Sequence, residues 1–198
     1  MPNWCSTVYV ITGEKNELED FHRVLNELQG NPSRLENDFG SLWLGNLLDY
    51  YGFDWEQIEC RGSIDEFSLE TQDEHLRLYT ETAWSAKHKV FEMIFDKYYP
   101  SLRFYYSDEE LGSEIYETND VEGVYFPDRY IVDICIEEGG NAHYFKEYYS
   151  SLKSAIEGTN ELLSLDAPDL PALKQALEDR GIVFSIIEIQ VNDENKDG

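Results

Sequence analysis

Residues 7–12, Thr-Val-Tyr-Val-Ile-Thr, are apolar or β-branched throughout, with Val8 and Val10 on one side of an extended chain and Tyr9 and Ile11 on the other. Such a strand has no side to offer to water, so it must lie inside a sheet with both faces covered. Gly13 ends the run. Asn16, with Glu19 three residues on, matches a capping box, and Leu18, Phe21, Leu25 and Leu28 recur at helical spacing until Gly30 and Pro32.

Residues 31–65 are less regular, with one short apolar helical face of Leu44, Leu47, Leu48 and Tyr51 ahead of Gly52. Phe67 and Leu69, then Leu76, Leu78 and Thr80, alternate on either side of Gln72-Asp73-Glu74, which predicts a hairpin. Ser85 is placed to cap a helix whose stripe is Val90, Phe91, Ile94, Phe95 and Tyr98, stopped by Pro100. Leu102, Phe104 and Tyr106 then alternate as a strand. The order over residues 7–107 is β-α-β-β-α-β, the split β-α-β arrangement of ferredoxin-like folds, in a mainly antiparallel sheet.

The remainder extends this α+β core with further strands and two C-terminal helices. Strands are expected at Ser113 to Thr118, Val124 to Phe126 and Tyr130 to Ile136, the last broken by Gly139 and Gly140. Tyr144, Phe145, Tyr148, Tyr149, Leu152 and Ile156 read as an aromatic helical face ending near Gly158. A second helix starts near Asp169 with Pro171 in its first turn and ends at Gly181, before a strand from Val183 to Val191. The expected organisation is a core over residues 1–123, an extension packed on it over 124–191, and a disordered acidic tail over 192–198.

Composition narrows the function classes. Asp and Glu total 41 against 15 Lys and Arg, a net charge of −26 spread along all 198 residues. Direct nucleic-acid binding needs a basic surface that releases counterions, so it is excluded as an expectation. Solubility through self-repulsion is one use of the excess, and occupation of a partner's basic cleft is another. No apolar stretch approaches the roughly 18 residues of a membrane span, and no basic-then-apolar leader precedes the first strand, so a cytoplasmic protein is expected. Cys5, Cys60 and Cys135 fit neither a disulfide framework nor a zinc site, and are expected as reduced, mostly buried thiols.

Three segments carry a resemblance. The start Met1-Pro2-Asn3-Trp4-Cys5-Ser6, the stretch from Leu78 to Ser85 (Leu-Tyr-Thr-Glu-Thr-Ala-Trp-Ser), and Tyr99-Pro100 with Glu109-Glu110-Leu111-Gly112 resemble the YubB-like family of plasmid- and phage-borne proteins, over roughly residues 1–125. The resemblance implies a ferredoxin-like fold and a mobile-element setting. It carries no catalytic residues onto this chain. Thr7 stands where that family usually has Asn, and residues 60–65 (Cys-Arg-Gly-Ser-Ile-Asp) replace a Trp-Gly-Thr-Lys-Trp-Asp type segment.

Candidate chemistry is sparse. Pro2, exposed as a terminal amine after removal of Met1, is a candidate base or nucleophile, but its nearest cation is Lys15, past the strand's end. Glu81, Asp108, Glu109 and Glu110 are candidates for an acidic edge site, acting as paired carboxylates or holding a divalent cation; solvated carboxylates in a turn are the default. His22, His75, His88 and His143 show no ligand spacing, and His22 reads as a packing residue. No cofactor fingerprint and no metal motif is found. Trp4 and Trp84 fall at sheet ends, where core packing or an edge latch is the default and anchoring a protein partner is the alternative.

The resulting expectation is a non-catalytic accessory protein that binds a basic protein partner through an acidic, aromatic-rich surface formed by Trp4, Trp84, Asp108, Glu109 and Glu110, with nucleic-acid mimicry as its sharpest form. The alternative is a small enzyme using Glu81, Glu109 and Glu110, or Pro2.

Overall fold

The computed structural model describes residues 3–70, 74–112, 114–138 and 140–193. Pro2, the hairpin turn at Gln72-Asp73, Ser113, Gly139 and the tail residues 194–198 lie outside them. The chain is a mixed α+β protein with mostly antiparallel sheets, and it divides into two compact units, residues 1–119 and 120–198.

In the first unit the order is β1 (Trp4–Thr12), α1 (Lys15–Gly30), α2 (Leu44–Tyr50), β2 (Gly62–Glu70), β3 (His75–Ala83), α3 (His88–Tyr98), β4 (Arg103–Glu110) and β5 (Ile115–Thr118). The strands neighbour one another as β2-β3-β1-β4-β5. β1 is interior, as its two-sided apolar pattern requires, with Val10 and Ile11 on opposite faces and both fully buried. On the Ile11 side, α1 and α3 bring Leu18, Phe21, Leu25, Phe91, Ile94 and Phe95 onto Tyr9, Leu76, Leu78 and Tyr106. Each such fully buried side chain contributes about 1.5–3 kcal/mol of burial free energy. The short helix α2 and a one-turn 3₁₀ helix (Trp55–Gln57) close the end of this core, where the Trp43 indole N–H donates to the Cys60 carbonyl at 3.0 Å.

Two expected caps are corrected. α1 starts at Lys15, one residue before Asn16, and has no side-chain cap. Its first turn is tied across the fold instead: the Glu17 carboxylate accepts from the Ser101 N–H and hydroxyl at 3.0 and 2.8 Å. Ser85 does not cap α3, which begins at His88 after Lys87. Trp84 takes a left-handed φ of 72°, turning the chain so that the Ser85 carbonyl accepts from the Thr82 hydroxyl.

In the second unit β6 (Tyr130–Glu138), β7 (Asn141–Tyr149), α4 (Leu152–Leu163), α5 (Leu170–Asp179), β8 (Val183–Glu188) and the short β9 (Gln190–Val191) follow. One sheet runs β7-β6-β8, and α4 and α5 cover one side of it through Ala155, Leu173 and Leu177. Tyr144, Phe145, Tyr148 and Tyr149 therefore lie on a strand, a correction to the expected helix. Aromatics spaced 1, 3 and 4 apart satisfy a helical stripe and a two-faced strand alike, and β6 supplies a nine-residue ladder that decides between them. The helix starts only after Ser151, whose reciprocal bonds with Ser154 form a capping box. Gly158 sits inside it. Val124 to Phe126 is not a strand either, because the Asp120 carboxylate gathers the N–H groups of Gly123, Tyr125 and Phe126 into a loop. The Asp169 cap of α5, accepting from Ala172 N–H at 2.9 Å, is as expected.

Candidate functional site

The head of β1 is where Asn3 to Ser6, the end of the 78–85 stretch and Glu109 to Gly112 meet, whereas Tyr99-Pro100 precedes Ser101, which abuts Gly13 past the other end of β1. Because β1 runs antiparallel to both neighbours, its first residues lie beside the last residues of β3 and β4: Trp4 is opposite Ala83, Cys5 opposite Thr82, and Ser6 is flanked by Glu81 and Glu109. The Trp84 N–H donates to the Asn3 carbonyl at 2.8 Å. Gly112 is pressed against Asn3 so closely that a Cβ there would collide with the Asn3 side-chain amide.

Strand alternation splits the candidate carboxylates. Glu81 and Glu109 share the face of Ser6, whose hydroxyl donates to the Glu81 carboxylate. Asp108 and Glu110 point to the helix-bearing side and are 6% and 1% exposed. The alternative in which Glu81, Glu109 and Glu110 converge is thus overturned, and the default reading of residues 108–110 as a solvated turn is corrected: β4 continues through Glu110. Pro2 lies outside the described residues.

On the helix-bearing side is a relay not anticipated from the sequence. His88, the first residue of α3, holds Tyr9 and Asp108 together: its Nδ1 is 3.0 Å from the Tyr9 hydroxyl and its Nε2 is 2.9 Å from Asp108 Oδ2. The ring stacks on Tyr106 at 3.9 Å between centroids. A carboxylate can only accept, so in the pairing with Asp108 the proton is on Nε2, and in that tautomer Nδ1 is the acceptor for the Tyr9 O–H. Both ring nitrogens are engaged inward. Asp108 Oδ1 is buried with no hydrogen-bond partner among the described residues. Beside it, burial and the Asp108 charge push the Cys5 thiol up to about 11, and the same causes raise Tyr9 well above its ordinary value. At neutral pH Cys5 is a protonated thiol and a poor nucleophile.

His88 also borders an open cleft of about 790 Å³, lined by Phe53, Ile58, Glu59, Lys87, Lys89 and Met93 among others. Lys87 is buried there, its ammonium donating to Glu59 at 3.2 Å and the Ser85 hydroxyl at 3.3 Å. Among the described residues, no three His, Cys, Asp or Glu side chains are placed to share a metal ion.

The two tryptophans are not core residues, which corrects the packing half of the default of core packing or an edge latch. Trp4 is 43% and Trp84 55% exposed, at the same end of the sheet, with Trp4 edge-on to Phe39 at 6.3 Å. His22 packs edge-on against Phe67, and burial lowers its pKa. All three cysteines are free, Cys5 and Cys60 buried and Cys135 partly so. No helix among the described residues is long and apolar enough to cross a membrane. The role of His88 had no sequence signal, since only the register of β1 against β4 brings residues 9 and 108 under the start of α3. Compared with known proteins, the chain matches no family model, no curated protein and no solved structure.

Proposed function

We propose that this is a non-catalytic interaction protein of the YubB-like, mobile-element type, which binds a basic protein partner at the head of β1. The observation that carries the reading is the patch formed there: two half-exposed indoles, Trp4 and Trp84, beside the Glu81-Ser6-Glu109 row. Exposed aromatics give a partner apolar anchors, and the flanking carboxylates select for a basic one. The wider charge distribution agrees. Lys15, Arg23, Arg34 and Lys89 already sit within ion-pair distance of carboxylates, so with 41 acids against 15 bases most carboxylates have no matching cation. Inward commitment of both His88 nitrogens and protonation of Cys5 weigh against catalysis at this end of the sheet.

The ferredoxin-like reading of the first unit is supported by the order β4-β1-β3-β2 within its sheet, with α1 and α3 in the two crossovers and β5 added beyond β4. Three unbridged thiols suit a reducing, cytoplasmic setting.

Affinity capture with the full chain across a salt series tests the proposal. A partner should be retained at low salt, released as salt rises, and lost from the Trp4→Ala/Trp84→Ala variant. Duplex DNA should compete for the captured partner if the surface mimics nucleic acid. Recovery of no salt-sensitive partner overturns the reading.

A further inference from the structure

β7 is an edge strand, since the sheet order β7-β6-β8 leaves one side of Asn141–Tyr149 without a neighbouring strand in that sheet among the described residues. A long, regular edge is a template for pairing with another chain, and proteins ordinarily blunt it with bulges, prolines or charges. The first unit does this at β2. The β2 ladder shifts between Ile64 and Glu66, Asp65 and Glu66 are exposed, and Trp43 bridges to Ser63. β7 carries charge at Lys146 and Glu147 but neither of the other two devices. It contains no proline and keeps an unbroken nine-residue register with β6. Ala142, His143, Tyr144, Glu147 and Tyr148 are exposed, Tyr144 by 76%.

We propose that β7 is a self-association strand: two copies of the chain pair antiparallel through it, joining two three-stranded sheets into one of six. Opposed residues of an antiparallel pair share a face, so a two-fold arrangement must centre on a residue. Centring on Lys146 or on Glu147 sets that charge against its own copy. Centring on Phe145 overlaps all nine residues, because Phe145 is the middle of the strand. It places Lys146 against Tyr144 of the second copy and Glu147 against its His143. The strand is therefore self-complementary in the one register that also uses its full length. Opposing this, each copy has a net charge of −26, so long-range repulsion resists association until salt screens it. The dimer tightens with salt, whereas binding of a basic partner weakens, so the two proposals fail separately.

Sedimentation equilibrium of the full chain over concentration and salt tests this. The expected result is a monomer–dimer equilibrium that shifts to dimer as salt rises. His143→Glu, at an exposed position, sets like charges opposite each other twice by symmetry and should weaken the dimer about tenfold. Adding Glu147→Lys to that variant should restore it, with circular dichroism showing the fold unchanged in both. A monomer at about 1 mM in high salt, a dimer that salt weakens, a dimer that His143→Glu leaves intact, or no recovery in the double variant each overturns the proposal.

Discussion

His88 Nε2 lies 2.9 Å from Asp108 Oδ2, and this bond ties the first residue of α3 to a carboxylate buried near the end of β4. Asp108 is 6% exposed and its other oxygen has no hydrogen-bond partner among the described residues, so His88 is the group that makes its burial tolerable.

His88→Ala should therefore cost about 3 kcal/mol, the usual scale for stranding a buried charge. The double variant His88→Leu/Asp108→Leu should recover part of that loss by removing the charge as well. Urea unfolding measures both. A loss below about 1 kcal/mol in the single variant would show that water already solvates Asp108.

Stability should fall as the solution becomes alkaline. The Cys5 thiol rises from 9.0 to about 11 in the folded protein through burial and the nearby Asp108 charge. Above about pH 9 the unfolded chain gives up a proton that the folded chain keeps, so the unfolded state is favoured progressively until about pH 11. Below pH 9 both states hold the proton and the contribution is complete. Tyr9 is shifted in the same direction, mainly by burial. Unfolding free energies measured between pH 8 and 11 should slope downward in wild type and less steeply in Cys5→Ala. Equal slopes would show that Cys5 ionises freely in the fold.

Gly158→Ala separates the observed β7 from a helix over the same residues. A Cβ at Gly158 would lie 2.5 Å from the Tyr149 ring, so the substitution should destabilise by about 1–3 kcal/mol through overpacking. On a helix free of that contact, alanine would instead stabilise by close to 1 kcal/mol. The sign of the shift in thermal midpoint decides.

Trp4→Ala and Trp84→Ala should each change stability by little, about 0.5 kcal/mol, because both indoles are substantially exposed. Together they should cost a bound partner about 2 kcal/mol or more, the scale of an interface anchor. Calorimetric titration of the captured partner against both variants provides the check. A large loss of stability with no loss of binding would reassign the indoles to packing.

Much of the first unit was legible because its signals are local. The two-sided apolar run at residues 7–12, the helical stripes from Leu18 and Val90, and the alternating pairs around the hairpin each state their element in a few residues. Capping was less legible. Asn16 and Ser85 have the right chemistry, but Ser101 and the left-handed turn at Trp84 offer the chain better partners from elsewhere. The aromatic run from Tyr144 to Tyr149 misled because helix and strand periods coincide over so short a span, and only pairing with β6 separates them.

The candidate site divides in the same way. The sequence by itself determined that β1 must be interior, that the chain is strongly acidic, and that residues 1–6, 78–85 and 99–100 with 109–112 are distinctive. Tertiary structure alone decided that Asn3 to Ser6, residues 81–84 and residues 109–112 meet, that Glu81 and Glu109 face away from Asp108 and Glu110, and that His88 joins Tyr9 to Asp108. The physical reason is register: in an antiparallel sheet a shift of one residue moves a side chain to the opposite face, and the register is set by long-range pairing that no local pattern encodes.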